Sequence, residues 1–355
     1  MLTPVQRRRA ALGGALAALV VAVVVLVDGS PDRATSDEAV LLGDTSGEET
    51  APEGPDPETR LRFADALEAA AAAGPRHDGR LEVAVMGEGW RGPIVLTSDH
   101  KRARRIRAWS VSKVFTTVAL LDRMGWGDDP GVAPSAEVSE AIDRALVRSE
   151  NCPQRRLTLE LQRIAGGTPE DAREAIRDVL AVAGARRFSA AVQAQPPETL
   201  CSEYMAQARG VADPNATALL AGTSTWTVAD AARFGAALGE GAYGDAVARR
   251  ILKVMRRPKA LSEEIQHIDF TAPLDWGFGA ALAPRRVAYK AGWGGTQHGD
   301  FVAEQLAIWR TGDDSAVAVA VAFHPNEQPL RDDPGVTSAP QALAEAARAI
   351  ASEVD

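Results

Sequence analysis

Cysteine and lysine are both scarce in this chain of 355 residues. The 39 basic side chains include only five lysines, which are Lys101, Lys113, Lys253, Lys259 and Lys290. The two cysteines, Cys152 and Cys201, are too few and too far apart for a zinc site, and the five histidines show no metal-ligand spacing. The sequence therefore predicts neither a metal nor another cofactor. Because lysine is rare, a lysine at a motif position carries more weight here than in an average chain.

A broad basic surface is missing as well. The 48 acidic side chains outnumber the 39 basic ones and give a formal net charge of −9, which argues against nucleic acid as a partner. Residues 28–58 hold ten acids against one arginine and contain no aromatic residue. Such a segment cannot bury enough apolar area to offset its ordering entropy. The sequence therefore predicts a disordered acidic tether over 28–58.

The N-terminus carries one long apolar run. Three arginines at 7–9 precede eighteen apolar or small residues from Ala10 to Val27, a helix of about 27 Å that is just long enough to cross a bilayer. The flanking charges predict a cytoplasmic stub at 1–9, a transmembrane anchor at 10–27 and an extracytoplasmic remainder, which places the protein at the cell membrane. The alternative is a cleaved signal peptide and a secreted protein.

The rest of the chain, 59–355, predicts one α+β domain. The expected elements are a helix from Thr59 to Gly74, strands at Leu81–Met86 and Ile94–Thr97, a mainly helical subdomain at about 110–265, strands at Val287–Lys290, Phe301–Arg310 and Ala316–Phe323, and a closing helix at Pro340–Val354. This order favours an antiparallel sheet built from both chain ends, flanked by terminal helices and packed beside the helical subdomain.

A serine and a lysine lie three residues apart at the start of the helical block. Residues at this spacing share one helix face, so Ser110 and Lys113 can touch. A partly buried lysine with a lowered pKa can take the proton of a serine hydroxyl, and free N–H groups at a helix N-terminus can bind an oxyanion. A capping serine beside a solvated lysine is the alternative.

Two further short motifs combine with this pair. Ser149 and Asn151 follow a probable helix and can point the same way, although a helix C-terminal turn explains them equally well. Lys290 and Gly292 lie where a strand leads into a glycine-rich turn, and glycine allows close approach of a substrate backbone. A hairpin with a solvated lysine is the alternative reading of that segment.

Taken in order, these three motifs resemble those of the class A β-lactamases and penicillin-binding proteins. The resemblance spans roughly residues 59–355. It implies a β-lactamase/transpeptidase-like fold and a serine hydrolase that forms an acyl-enzyme on β-lactams or on D-alanyl peptides of peptidoglycan. It assigns catalysis to Ser110 as nucleophile, to Lys113 as the group that activates it, and to Ser149 as proton relay.

The same resemblance implies the substrate-binding residues. Asn151 holds the substrate amide, and Lys290 supports the relay and attracts the substrate carboxylate. The oxyanion hole consists of the backbone N–H groups of Ser110 and Trp293, with Gly292 preceding the latter.

Two departures from the family pattern leave the activity open. Ala291 stands where the family has Thr or Ser, and Thr296 is a possible substitute. No clear deacylating glutamate follows the Ser-x-Asn motif, with Glu198 and Glu203 as the only candidates. A DD-peptidase-like penicillin-binding protein without efficient deacylation is therefore one alternative. A degenerate binding or regulatory module is the other.

Cysteine placement suggests one cross-link. Cys152 follows the Ser-x-Asn motif directly, and Cys201 lies between the two glutamate candidates. An extracytoplasmic domain permits a disulfide between them, with two unpaired buried cysteines as the alternative.

Overall fold

A computed structural model describes the chain over 57–126, 129, 132–185, 187–189, 224–256, 277–282, 287–294, 301–311, 315–327 and 338–354. These residues belong to a unit that runs from Thr50 to Asp355. The predicted stub, anchor and most of the tether lie outside the described residues. Within the described ranges, no helix combines the length and the apolar character needed to span a bilayer.

Seven strands are described. They are β1 (Gly79–Gly87), β2 (Ile94–Thr97), β3 (Ile106–Arg107), β4 (Thr225–Trp226), β5 (Ala288–Gly294), β6 (Val302–Arg310) and β7 (Ala316–Pro325). Five form an antiparallel sheet in the order β2-β1-β7-β6-β5, and β3 pairs with β4 separately. The pairing of β1 with β7 joins the two chain ends, which confirms the predicted sheet.

The described helices flank this sheet. They are α1 (Pro57–Ala71), α2 (Ala73–Arg76), α3 (Ser112–Met124), α4 (Ala136–Val147), α5 (Asn151–Ala165), α6 (Pro169–Val182), α7 (Val228–Gly239), α8 (Asp245–Met255), α9 (Phe278–Leu282) and α10 (Ala339–Val354). Side-chain capping fixes the residue at which some of these helices begin. Ser135 accepts the Val138 N–H at the start of α4, and Thr168 forms a capping box with Asp171 at the start of α6.

The strands are apolar on both faces because helices cover both. One face packs against the terminal helices, where Phe63 and Leu67 of α1 and Leu343 of α10 lie in one cluster with Val319 of β7. The other face packs against the helical subdomain. Burying both faces explains why β6 and β7 lack the polar alternation of a solvated sheet.

Two local differences from the predicted elements matter for the site. The helix after Trp109 begins at Ser112, so Ser110 lies in the preceding turn. Strand β5 continues through Gly294 because β6 pairs with it as far as Val302, so Gly292 is a strand residue and not a turn residue.

Candidate active site

Ser110 lies in a turn held between β3 and α3. The Ala108 N–H donates to the Ser224 carbonyl, and this bond continues the pairing of β3 with β4. The Ser112 N–H donates to the Trp109 carbonyl at 3.0 Å, which closes the turn, and the Trp109 side chain is buried. The turn thus fixes the position of Ser110 just before the start of α3.

Lys113 lies beneath Ser110 and is fully buried. Its Nζ is 3.0 Å from Ser110 Oγ, 2.6 Å from the Ser149 carbonyl oxygen and 2.8 Å from Asn151 Oδ1. Burial lowers the pKa of Lys113 well below its ordinary value and Lys290 lowers it further, whereas Glu150 raises it. A neutral amine has two N–H donors and one lone pair. The geometry fits donation to Ser149 and Asn151 and acceptance of the Ser110 hydroxyl proton.

The Ser149–Asn151 segment is held in a strained turn. Ser149 has φ 57°, a left-handed conformation that is uncommon for residues other than glycine, and α5 begins at Asn151. Glu150 is buried between them, and Arg144 Nε donates to its Oε2 at 2.7 Å. This ion pair ties the strained turn to the end of α4.

The ion pair yields a prediction about stability. Replacing Arg144 with Met should leave the Glu150 carboxylate buried without its main partner and lower the free energy of unfolding by about 1–3 kcal/mol. The matched control is Arg156→Met, because Arg156 pairs with Glu137 where both side chains are mostly exposed. That control should cost about 0–1 kcal/mol. Equal losses in urea unfolding of the two variants would contradict a buried role for the Arg144 pair.

Lys290 approaches the same group from the sheet. It is 3% exposed, and its Nζ donates to Ser149 Oγ at 2.8 Å and to the Ala291 carbonyl at 2.8 Å. The methyl group of Ala291 is buried in the cluster beneath the terminal helices, on the other face of the sheet. Ser149 therefore links the two lysines, since Lys113 Nζ is 3.3 Å from the same hydroxyl.

Strand β5 is the edge of the sheet and packs against the serine turn. A Cβ added to Gly292 would lie 2.7 Å from the Ser110 backbone N, and one added to Gly294 would lie 2.7 Å from the Trp109 ring. Both distances are too short for a side chain, so glycine is required for this approach. Trp293 lies between them, partly buried and opposite Ala303 of β6.

Five residues from the three sequence motifs thus meet in one hydrogen-bonded group: Ser110, Lys113, Ser149, Asn151 and Lys290. Their catalytic and binding roles stay predictions, as does the oxyanion role of the Trp293 amide.

Known structures share this architecture. A variant of the last common ancestor of the class A β-lactamases of Gram-negative bacteria, bound to a nitrobenzotriazole, matches 81% of this chain and 97% of its own, with a TM-score of 0.52 and 19% identity. The β-lactamase from Streptosporangium roseum matches 81% of this chain and 98% of its own, with a TM-score of 0.53 and 15% identity. A class A β-lactamase from Bacteroides cellulosilyticus covers 85% and 98%, with a TM-score of 0.53 and 13% identity.

The protein has a class A β-lactamase-like fold. Comparison of the sequence with protein-family models and with curated proteins finds no match. At these identities the structural likeness establishes the fold alone.

Within this β-lactamase-like fold, sequence reasoning missed one acid at the site. Glu304 of β6 is 2% exposed, and Trp226 Nε1 of β4 donates to its Oε2 at 3.1 Å. A weak signal was available, because Glu304 and Gln305 are polar residues within a strand of mostly apolar residues. Acids are rarely buried without a purpose or a partner.

Several predicted residues fall outside the described part of the β-lactamase-like fold. The glutamate candidates Glu198 and Glu203, the possible hydroxyl of Thr296 and Cys201 all lie there. Cys152 is described and is disulfide-bonded. The chain's other cysteine is Cys201.

Proposed function

We propose that this protein is a serine hydrolase of the acyl-transfer type, which forms an acyl-enzyme at Ser110 with β-lactams or D-alanyl peptides of peptidoglycan. The observation that supports this most is the position of Lys113. Its buried Nζ is within hydrogen-bond distance of Ser110 Oγ, and burial lowers its pKa well below the ordinary value for lysine. A base and a nucleophile in this arrangement are what covalent acyl transfer requires.

Acylation begins with Ser110. Its Oγ attacks the substrate carbonyl carbon while its proton passes to Lys113 Nζ, and a carbon–oxygen bond forms as the carbonyl becomes an oxyanion. The backbone N–H groups of Ser110 and Trp293 stabilise that oxyanion. Collapse of the intermediate breaks the carbonyl carbon–nitrogen bond and leaves Ser110 acylated.

The departing nitrogen needs a proton, and Ser149 supplies it. Ser149 Oγ is 3.3 Å from Lys113 Nζ and 2.8 Å from Lys290 Nζ. It donates its own proton to the nitrogen and recovers the one that Lys113 took from Ser110. The protonated nitrogen departs with a peptide product but stays attached in an opened β-lactam. Asn151 binds the substrate amide, and Lys290 attracts the substrate carboxylate.

A slow deacylation step would make the protein a penicillin-binding enzyme of the DD-peptidase type. Two described acids bear on this second candidate. Glu150 is paired with Arg144 and Glu304 is bonded to Trp226, and both are buried beside the lysines. Neither arrangement suits activation of a solvent water, which favours a long-lived acyl-enzyme.

The proposed location is extracytoplasmic, with a membrane anchor at residues 10–27 and an acidic tether at 28–58. Apart from the sequence pattern, a disulfide at Cys152 supports an oxidising compartment.

The test follows the intact mass of the full-length chain in mild detergent after addition of benzylpenicillin. We expect an adduct on the wild type with the mass of the whole β-lactam, because ring opening releases no leaving group. We expect no adduct on Ser110→Ala, because the nucleophile is missing. An adduct that clears with time indicates a β-lactamase, whereas one that persists indicates a penicillin-binding enzyme. A folded wild type with neither an adduct nor penicillin turnover would leave the degenerate binding module and overturn the proposal.

A further inference from the structure

Glu304 lies in one row of residues that crosses the sheet. It is directly opposite Gly292 of β5 on one side and opposite Ala322 of β7 on the other, and Ala322 in turn is opposite Glu82 of β1. Directly opposite residues share a face of a sheet. The Glu304 side chain therefore emerges on the face that carries Lys290 and Gly292.

The missing side chain of Gly292 leaves room for the Glu304 carboxyl. A Cβ at Gly292 would lie 3.1 Å from Glu304 Oε1 and 2.7 Å from the Ser110 backbone N. Two hydrogen-bond donors hold the carboxyl in place, namely Trp226 Nε1–H and the Trp109 backbone N–H. It thus lies directly behind the serine turn, next to the position of Lys290.

Within the part of the chain that the structure describes, charged and titratable groups reach this pair from the following elements. Lys290 meets Lys113 from α3, Ser149 from the turn before α5, and Glu304 from β6. The helix α7 packs on β6 and carries Asp230, which bonds to its own cap residue Thr227. The helix α8 packs on β5 with these apolar residues buried: Val247, Ala248, Ile251, Leu252, Val254 and Met255.

Burial and attraction act in opposite directions on the two groups. Burial lowers the pKa of Lys290 to about 7, and the Glu304 carboxylate raises it. Burial also raises the pKa of Glu304 to about 8, against the lowering effect of the Trp226 and Trp109 donors and of Lys290. Each group therefore favours the charged form of the other, and loss of the carboxylate removes a charge that favours the protonated form of Lys290.

We propose that Glu304 is a positioning residue of this site, whose carboxylate increases the fraction of Lys290 that is protonated and able to bind a substrate carboxylate. The inference has two halves. The charge half is that the Glu304 carboxylate favours the protonated form of Lys290, and the recognition half is that this form binds a substrate carboxylate. The recognition half rests on the proposed acyl-transfer function. The charge half does not depend on that function, because it is argued from the burial of Glu304 and Lys290 on one face of the sheet and from their opposite charges. Binding by a protonated Lys290 would favour anionic substrates among the β-lactams and D-alanyl peptides of the proposed function.

The scarcity of lysine makes the charge half directly measurable. Full-length chain labelled with ¹³C at the lysine Cε gives at most five signals, and Lys290→Arg identifies the one from Lys290. We expect its titration midpoint to fall by about one pH unit or more in Glu304→Gln, because an opposite charge in a buried site is removed. The matched control is Glu82→Gln, which removes another buried glutamate from the same row and should leave the Lys290 midpoint unchanged.

The recognition half is read from acylation of Ser110 by benzylpenicillin and by its methyl ester at pH 8. In Glu304→Gln the penicillin rate should fall about tenfold, which is what a pKa shift of about one unit implies, whereas the ester rate should stay within about twofold. Glu304→Asp retains the charge and should restore part of the penicillin preference. Thermal unfolding of each variant shows that it is folded.

The outcomes separate the two halves. An unchanged Lys290 midpoint in folded Glu304→Gln would overturn the inference, as would a shifted midpoint with an unaltered preference for penicillin over its ester. A shifted midpoint in a protein whose wild type reacts with neither compound supports the charge coupling and overturns the proposed function instead.

Discussion

Replacing Lys113 with Met should lower the rate of Ser110 acylation by about 10³-fold, within the range known for loss of a general base. Methionine keeps much of the volume of the lysine side chain but has no lone pair for the Ser110 proton. The buried Nζ contacts Ser110, Ser149 and Asn151. All three contacts are lost together, so the effect should be the largest of any single substitution that leaves Ser110 in place. The measurement is the rate of adduct formation with benzylpenicillin.

The pH dependence of the wild-type acylation rate should also have a definite direction. Because burial lowers the pKa of Lys113 well below its ordinary value, the neutral amine, which is the form competent as a base, is populated at a lower pH than in an exposed lysine. Acylation should therefore decline as the pH falls through that lowered pKa, where the amine becomes protonated. The Lys113→Met variant should lack this decline.

Lys253 provides a matched control for the loss of a lysine. It is exposed on α8, so Lys253→Met should acylate at the wild-type rate. If Lys113→Met retained more than about a tenth of the wild-type rate, general-base catalysis by Lys113 would be wrong, since removal of such a base costs at least about 10²-fold.

Replacing Gly292 with Ala should have the second largest effect. The added Cβ would lie 2.7 Å from the Ser110 backbone N and 3.1 Å from Trp109 Cβ, so the strand and the serine turn must move apart. That movement displaces one predicted oxyanion donor and the nucleophile relative to each other. Loss of one such donor lowers rates by about 10²–10³-fold, and we expect the acylation rate of this variant to fall in that range.

Gly92→Ala is the control for this substitution. A Cβ at Gly92 would meet only Arg233 Nη2, at an ordinary contact distance of 3.6 Å. Its acylation rate and its unfolding midpoint should match those of the wild type. A Gly292→Ala variant that acylates as fast as Gly92→Ala would show that the close approach of β5 to Ser110 is not needed for the chemistry.

Whether a structural feature can be predicted from the sequence depends on whether its contacts are local in the chain. Alternation and turn residues located β2 at Ile94–Thr97, and the spacing of Ser110 and Lys113 predicted their contact. Strands of two residues, such as β3 and β4, are too short for a periodic signal. Their pairing is what holds the serine turn, so this support was invisible in the sequence.

The same limit explains why the acid at the site was missed. The polarity of Glu304 within β6 is visible in the sequence, but its place at the site follows only from the pairing of β6 with β5, which puts it opposite Gly292. The three motifs carried the family resemblance, and none of them includes this position. Similarly, the end of β5 depends on hydrogen bonds to Val302, whereas the glycines alone indicated a turn.

The antiparallel pairing of β1 with β7 also governs when the fold can be completed during synthesis. Gly87 is paired with Val317 and Gly79 with Pro325, so the sheet cannot close until nearly the whole chain has been made. Ser149 and Lys290, which share a hydrogen bond, are 141 residues apart. Contacts this distant in sequence form slowly because loop closure must precede them. A nascent chain therefore lacks the complete hydrogen-bonded group, which assembles only after β5 with Lys290 has been made.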